Sequence, residues 1–197
     1  MNLQSNIETY LTLFSIAFSL IGSYLIVRKD WRRYGLLYLL TAISGNILCY
    51  IFVRLGFYSF PYRLFSSFAI MPFDVVLTMF PFIVLVGVNY APKPFLWKIP
   101  FYWVLVHIGM LFETLALQYT NLIEYNVKWD FWDSYTWWWL FLIGFEWIST
   151  FIIPDSLRNP IDYNSIRYNR IGWFIIHFIL IVTIFLGGVY LGFVLFS

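Results

Sequence analysis

Five ionisable side chains lie within long apolar stretches of the chain: Asp74, His107, Glu113, Glu146 and His177. A charged group in hydrocarbon is costly, so such side chains usually face the interior of a helical bundle or a wet cavity. A carboxyl group in that setting can bind a ligand, and when protonated it can donate its proton to a substrate or to a relay. These residues therefore predict a ligand site or a proton path inside a membrane.

The depth of each polar residue follows from a helical rise of about 1.5 Å per residue. On this measure Asp74 lies roughly 12 Å and Glu113 roughly 9 Å below the same end of their spans, and Glu146 lies roughly 16 Å down its own. His107 and Asn46 lie at similar depths in their own spans. One connected interior could thus hold all the ligand-binding or proton-relay candidates, which are Asp74, Glu113, Glu146, His107 and Asn46.

A structural role is the alternative for each of these residues, because interhelical polar contacts are common in membrane bundles. Asp74 could pair with Arg54 at the end of the preceding span. His107 and His177 could each hold two helices together. The catalytic residues, if there are any, are not identified by the sequence.

Composition places the chain among membrane proteins. Hydrophobic residues make up 61% of its 197 positions and charged residues only 11%, whereas about a quarter of a typical soluble domain is charged. The net charge of +2 gives no reason to expect a nucleic-acid partner. The lone cysteine, Cys49, excludes an intrachain disulfide and a multi-cysteine metal site. We find neither a phosphate-binding loop motif nor H-E-x-x-H, so no metal is predicted and no cofactor is identified.

Six apolar segments approach or exceed the length of about 20 residues that a membrane-spanning helix needs. In lipid the backbone must satisfy its own hydrogen bonds, which favours helices. The sequence therefore predicts an all-α, polytopic transmembrane bundle forming one integral membrane domain over residues 1–197. The predicted spans cover roughly 8–27, 34–53, 66–88, 99–119, 135–153 and 171–196. Pro72 and Pro81 both fall in the third span, which is predicted to be kinked or broken.

The distribution of basic residues predicts the orientation. With the N-terminus outside, nine of the twelve basic residues fall in the inner loops or at their edges, as the positive-inside rule requires. These are Arg28, Lys29, Arg32, Arg33, Lys93, Lys98, Arg158, Arg167 and Arg170. Six spans then place both termini outside. Gly188 and Gly192 form a G-x-x-x-G step in the last span, which predicts close helix packing or a homodimer.

Two resemblances rest on the third span and its neighbours. Met71-Pro72-Phe73-Asp74, Pro81-Phe82 and the aromatic stretch before the fifth span resemble a group of uncharacterised small membrane proteins of spore-forming Gram-positive bacteria. That resemblance implies the bacterial cytoplasmic membrane and brings no activity. A fainter one is to membrane lycopene cyclases, which protonate a polyene with a proline-x-glutamate-glutamate step; here Pro72-Phe73-Asp74-Val75 has one acid where that family has two.

Three functions fit these observations, and each predicts a different interior. A protein that binds or transports a small ligand would line a partly wet pocket with Asp74, Glu113 and Glu146. An enzyme acting on a lipid or isoprenoid would place the same acids as general acids at the end of an apolar tunnel that opens to the bilayer. A structural or partner protein would have paired acids and no cavity.

Overall fold

Helices account for most of the fold in the computed structural model. It describes residues 5–126 and 128–164, and nine later positions in helical conformation (170, 174, 177, 181, 183, 184, 187, 188 and 192). The first two ranges contain five α-helices, which are α1 (Ile7–Val27), α2 (Trp31–Arg54), α3 (Phe73–Tyr90), α4 (Phe95–Tyr119) and α5 (Phe131–Ile152). Two short strands, β1 (Tyr58–Ser59) and β2 (Glu124–Tyr125), pair antiparallel, and a 3₁₀ turn covers Asp155–Leu157.

Four of the helices, α1 to α4, are long and apolar enough to cross a membrane. The predicted spans 8–27, 34–53 and 99–119 match α1, α2 and α4 to within about four residues. α5 coincides with the predicted fifth span, but it is not among the four, since its many tryptophans and two acids make it less apolar. The predicted sixth span, 171–196, falls largely outside the described residues. Within the described residues the structure thus supports four spans, and the predicted total of six is not supported.

The third helix begins later than predicted. α3 starts at Phe73, with Pro72 as the residue before its first turn, whereas the predicted span began at 66. Proline disfavours helical backbone in the residue before it, so the apolar segment in front of Pro72 forms turns. Pro81 lies inside α3, which continues through it to Tyr90. The predicted span is therefore interrupted at Pro72 but not at Pro81, and a kink within α3 stays a prediction. Asp74 lies in the first turn of α3 and not deep within a span.

Local signals in the sequence account for where several helices begin. The side chains of Asn6 and Asp30 accept hydrogen bonds from the amides of Thr9 (3.0 Å) and Arg33 (3.1 Å). Asp130 forms a capping box with Asp133 before α5. These contacts satisfy amides that have no partner within the helix.

The helices alternate in direction around α3. α1, α2 and α5 pack against α3, and α4 packs mainly against α5. We call the end where α1, α3 and α5 begin the N-terminal end, and the opposite end the basic end, because Arg28, Lys29, Lys98 and Arg158 lie there. The main buried core lies toward the basic end and includes Leu37, Leu85, Val106 and Leu142.

Glycines allow close packing at several helix contacts in the bundle, and Gly87 and Gly109 are two examples. A Cβ at Gly87 of α3 would lie 2.9 Å from the Tyr102 ring of α4, and one at Gly109 of α4 would lie 3.1 Å from Trp138 of α5. Gly188 and Gly192 differ, because a Cβ there would meet no atom of the described residues within 4 Å. The homodimer suggested by those two glycines stays a prediction.

Candidate ligand cavity

A cavity of about 690 Å³ opens at the N-terminal end of the bundle. All five helices and both loops of that end contribute to its lining. From α1, α2, α3 and the proline before α3 come Ile7, Leu11, Thr12, Phe14, Ser15, Phe18, Gly45, Leu48, Cys49, Phe52, Pro72, Val75, Val76, Met79 and Phe80. From α4, α5 and the loops come Tyr58, Phe60, Tyr62, Arg63, Leu64, Phe112, Glu113, Leu115, Ala116, Tyr119, Thr120, Leu122, Ile123, Trp129, Ser134, Trp137, Trp138 and Phe141. Most of this surface is apolar.

The cavity has a buried floor and exposed side walls. On the floor, Cys49 of α2 and Val76 of α3 are only 5% and 4% exposed. On the walls, Phe14 of α1 and Phe112 of α4 are 67% and 60% exposed. Because α1 packs on α3 while α4 packs on α5, the cavity lies between α1 and α4 and faces sideways. In a membrane, that opening would face the hydrocarbon.

The two short strands form a cap over one end of the cavity. Tyr58 pairs with Tyr125, and the amide of Asn126 donates to the carbonyl of Phe57 (2.9 Å). Trp129 then packs against the rings of Phe52, Phe57 and Tyr58. Burial raises the pKa of the Tyr58 phenol, so this ring stays neutral well above its ordinary titration range. The cap is thus a mainly aromatic cover that joins the loops of the N-terminal end.

Glu113 is the acid that lines the cavity. The hydroxyl of Tyr125 donates to its Oε1 (2.5 Å) and the indole N–H of Trp138 donates to its Oε2 (2.8 Å). Ser134 Oγ lies 2.9 Å from the same tyrosine hydroxyl. Burial, and then the Glu113 charge, raise the pKa of Tyr125, which keeps this donor protonated. Each carboxylate oxygen of Glu113 thus accepts one hydrogen bond from the protein.

Asp74 and Asn46 do not line this cavity. Asp74 lies in the first turn of α3, where the helix dipole favours negative charge, and its Oδ2 is buried without a hydrogen-bond partner among the described residues. Its predicted partner Arg54 instead donates to Tyr50 Oη (2.9 Å) on its own helix. Asn46 donates to the carbonyl of Ala42 (2.8 Å), and its Oδ1 has no described partner.

Glu146 belongs to a different site, at the basic end. Its carboxylate pairs with Lys98 and with Arg158 Nη1 (3.3 Å), and it accepts a hydrogen bond from Tyr102 Oη (2.7 Å). The Arg158 side chain is only 7% exposed and also donates to Ser149 Oγ (3.0 Å). Since α5 ends at Ile152, Glu146 is six residues from its end. This arrangement joins α4, α5 and the following loop.

A second polar contact at the basic end involves Asn89, which is fully buried. Its Oδ1 accepts from Lys29 Nζ (2.9 Å) and Tyr34 Oη (3.1 Å). Tyr34 Oη also lies 3.1 Å from the carbonyl oxygen of Leu157, and the amide of Asn159 donates to the Asn89 carbonyl (2.9 Å). Burial lowers the pKa of Lys29. Asn89 thus fixes the segment after α5 to the ends of α1, α2 and α3.

His107 makes helix contacts and does not line the cavity. Its Nδ1 lies 2.8 Å from the carbonyl of Trp103, its Nε2 lies 3.4 Å from Thr183 Oγ1, and its ring meets Tyr135 edge-on. These contacts agree with the structural alternative for His107. His177 is one of the isolated described positions and is exposed.

The five candidates therefore do not share this cavity, since only Glu113 lines it. Sequence reasoning missed the partners of the acids: Tyr125 and Trp138 for Glu113, and Lys98, Tyr102 and Arg158 for Glu146. One signal was available, because Lys98 and Tyr102 are four residues apart and lie on one face of a helix. The other pairs join separate elements.

Comparison with protein-family models, curated proteins and solved structures finds no match to the chain. The cavity and the residues around it are therefore the basis for a functional proposal.

Proposed function

We propose that this protein is an integral membrane protein that binds an apolar or amphipathic small molecule in the cavity at its N-terminal end. The observation that carries the proposal is the cavity itself. Its volume of about 690 Å³ lies within the range of about 300–1,000 Å³ typical of ligand sites. Its mainly apolar lining matches a hydrocarbon chain better than a hydrated ion.

The exposed faces of the helices support a membrane setting. Ile21, Leu39 and Ile43 are more than half exposed, and apolar faces of this size on several neighbouring helices need a cover in water. In the proposed topology, α5 and the segment 171–196 complete six spans. The protein lies in a bacterial cytoplasmic membrane with both termini outside, so that the basic end faces the cytoplasm.

Binding fits the geometry of Glu113 better than acid catalysis does. A general acid must point its proton at the substrate, whereas both oxygens of Glu113 accept hydrogen bonds from the protein. Asp74, the acid of the cyclase-like step, does not line the cavity. We therefore propose that Glu113 anchors the cavity wall through Tyr125 and Trp138 and that the ligand contacts the surrounding apolar residues.

A structural role is favoured for one part of the molecule. Glu146, with two cationic partners and a tyrosine, has the paired-acid arrangement expected of a residue that fixes helix packing. This site is separate from the cavity, so the two roles are compatible in one protein.

The test is native mass spectrometry of the protein in mild detergent, with extraction of the bound lipids from the same sample. We expect a molecule bound at about one per chain. The variant Ala116→Phe places a ring in the cavity lining and should lose it. Leu117→Phe is the control, because it introduces the same ring at the next residue of α4, which is not in the lining.

Two results would overturn this proposal. The first is a protein that carries only bulk phospholipid, at a level unchanged in Ala116→Phe. The second is an equal loss of the bound molecule in Ala116→Phe and Leu117→Phe at unchanged thermal stability, which would place the ligand elsewhere on the helices.

A further inference from the structure

We infer that the ligand is a single-chain amphipath with an anionic head group, a long-chain carboxylate, whose head binds Arg63 and whose chain occupies the cavity. This inference rests on the proposed function, because it names the class of molecule that the cavity takes. Its starting point is the uneven hydrogen bonding of the basic and the acidic side chain in the cavity lining, Arg63 and Glu113.

Arg63 is the cation of the cavity lining and lacks an anionic partner among the described residues. It follows β1 in the segment that joins α2 to α3, and it is half-buried. Its Nη1 donates to the carbonyl of Phe60, while its Nε is buried and has no partner in the same part of the chain. A buried donor without a partner is costly, and a small rotation of the Arg63 side chain that brings Nε to an acceptor of the ligand would remove that cost.

Each oxygen of Glu113 already accepts a hydrogen bond, one from Tyr125 and one from Trp138, so this acid has protein partners where Arg63 Nε has none. Its negative charge also disfavours an anionic head group in its own part of the cavity. An anionic ligand is thus directed toward Arg63, in a loop at the end of the bundle, where a head group can stay near the membrane surface. The apolar chain then lies along the floor formed by Leu48, Val76 and Met79.

The charge of the lining favours a carboxylate over a phosphate. A guanidinium group binds a carboxylate with two parallel hydrogen bonds, and its single charge balances that of one carboxylate. A phosphate monoester carries about −1.5 to −2 at neutral pH, which one arginine would leave partly uncompensated. The cavity volume of about 690 Å³ favours one chain over the two chains of a phospholipid.

The test uses tryptophan fluorescence, because Trp129, Trp137 and Trp138 line the cavity. Purified protein in detergent is titrated with a brominated long-chain fatty acid, whose bromines quench nearby tryptophans, and separately with its methyl ester. We expect the acid to bind the wild type at least about tenfold more tightly than the ester. Arg63→Gln should lose that preference, and Arg63→Lys should recover part of it. Arg54→Gln is the control, since Arg54 is outside the lining and pairs with Tyr50.

The outcomes separate this inference from the proposed function. Equal binding of acid and ester by the wild type, or an unchanged preference in Arg63→Gln, would overturn the role of Arg63 and leave the cavity site standing. Tighter binding of a brominated alkyl phosphate than of the acid would overturn the choice of carboxylate. If neither the acid nor the ester quenches the wild type more than Ala116→Phe, the cavity itself is empty of ligand and both proposals fail. Thermal melting of each variant shows whether it is folded.

Discussion

At the scale of single residues, the two acids that contact neighbouring helices have opposite surroundings. Glu113 accepts hydrogen bonds from two neutral groups, the phenol of Tyr125 and the indole of Trp138, and it faces an apolar cavity. Glu146 forms ion pairs with Lys98 and Arg158 and lies in the packed basic end of the bundle. The first arrangement leaves room for a ligand beside the acid, and the second fills that room with protein.

Replacement of Glu146 is predicted to destabilise the fold. Glu146→Gln leaves Lys98 and Arg158 without their shared anion, and breaking a buried pair in this way costs about 3–5 kcal/mol. Gln keeps one acceptor, so we expect a loss toward the lower limit in the free energy of unfolding measured in detergent. Glu124→Gln is the control, since Glu124 is exposed on β2 and should change stability by less than about 0.5 kcal/mol. Equal stabilities for the two variants would show that the ion pairs of Glu146 contribute nothing to the free energy of unfolding.

At the scale of elements, Gly87 determines how closely α3 and α4 approach. Gly87→Ala would place a methyl group 2.9 Å from the Tyr102 ring, and this ring is also held by its hydrogen bond to Glu146. We predict a loss of about 1–3 kcal/mol, the usual cost of overpacking. Gly35→Ala, where a Cβ would meet nothing within 4 Å, should be neutral or slightly stabilising. A neutral Gly87→Ala would contradict this packing.

The strand cap predicts a loss of stability at alkaline pH. Burial raises the pKa of Tyr58 and Tyr125 above the ordinary value of 10.0, so the folded protein keeps both protons where the unfolded chain releases them. Their contribution is complete below pH 10 and is lost as pH rises through the folded pKa values. Melting temperatures between pH 8 and 11 should fall above about pH 10. The fall in melting temperature should be shallower in Tyr125→Phe than in the wild type. An identical slope in the two proteins would show that Tyr125 does not contribute to the loss of stability at alkaline pH.

The helices could be predicted from the sequence where an apolar segment long enough to span a membrane also ends at charged, polar or proline residues. α1, α2 and α4 are bounded by charged, polar or proline residues, and their predicted limits were close. The predicted start of α3 was not close. The turns before Pro72 contain apolar residues such as Phe68, Ala69 and Ile70, and hydropathy alone does not distinguish an apolar turn from an apolar helix. The strand cap has only two residues a side, and no pattern of that length predicts a pairing between loops.

The site was less predictable than the helices for a geometric reason. Helical rise gives the level of a residue along the bundle, but it does not say which helix faces which. Glu113 and Asp74 were therefore placed together by depth, whereas the structure puts Glu113 on the cavity wall and leaves Asp74 outside the lining. The partners Tyr125 and Arg158 lie outside the long helices, where depth is undefined.

At the scale of the whole molecule, the charge asymmetry predicts which parts of the chain are outside the cell. In a Cys49→Ala background, cysteines at Ser5 and Ser197 should react with a membrane-impermeant maleimide in intact cells, because the proposed topology of six spans places both termini outside. A cysteine at Ser156, which is exposed at the basic end, should react only after lysis. Labelling of Ser156→Cys in intact cells would show that the orientation is opposite to the proposed one. Labelling of Ser5→Cys without labelling of Ser197→Cys would exclude an even number of spans.

The central claim, that the cavity binds an apolar or amphipathic small molecule, is tested most directly by photolabelling in membranes. A long-chain fatty acid carrying a photoactivatable diazirine is incorporated into the membrane, and its adducts on the protein are mapped by mass spectrometry. Bilayer-facing residues such as Ile43 and Ile47, both more than half exposed, should be labelled in every variant. We predict additional adducts on the buried floor, at Cys49 and Val76, which disappear in Ala116→Phe and persist in Leu117→Phe. Adducts confined to the exposed faces of the wild type would contradict the claim.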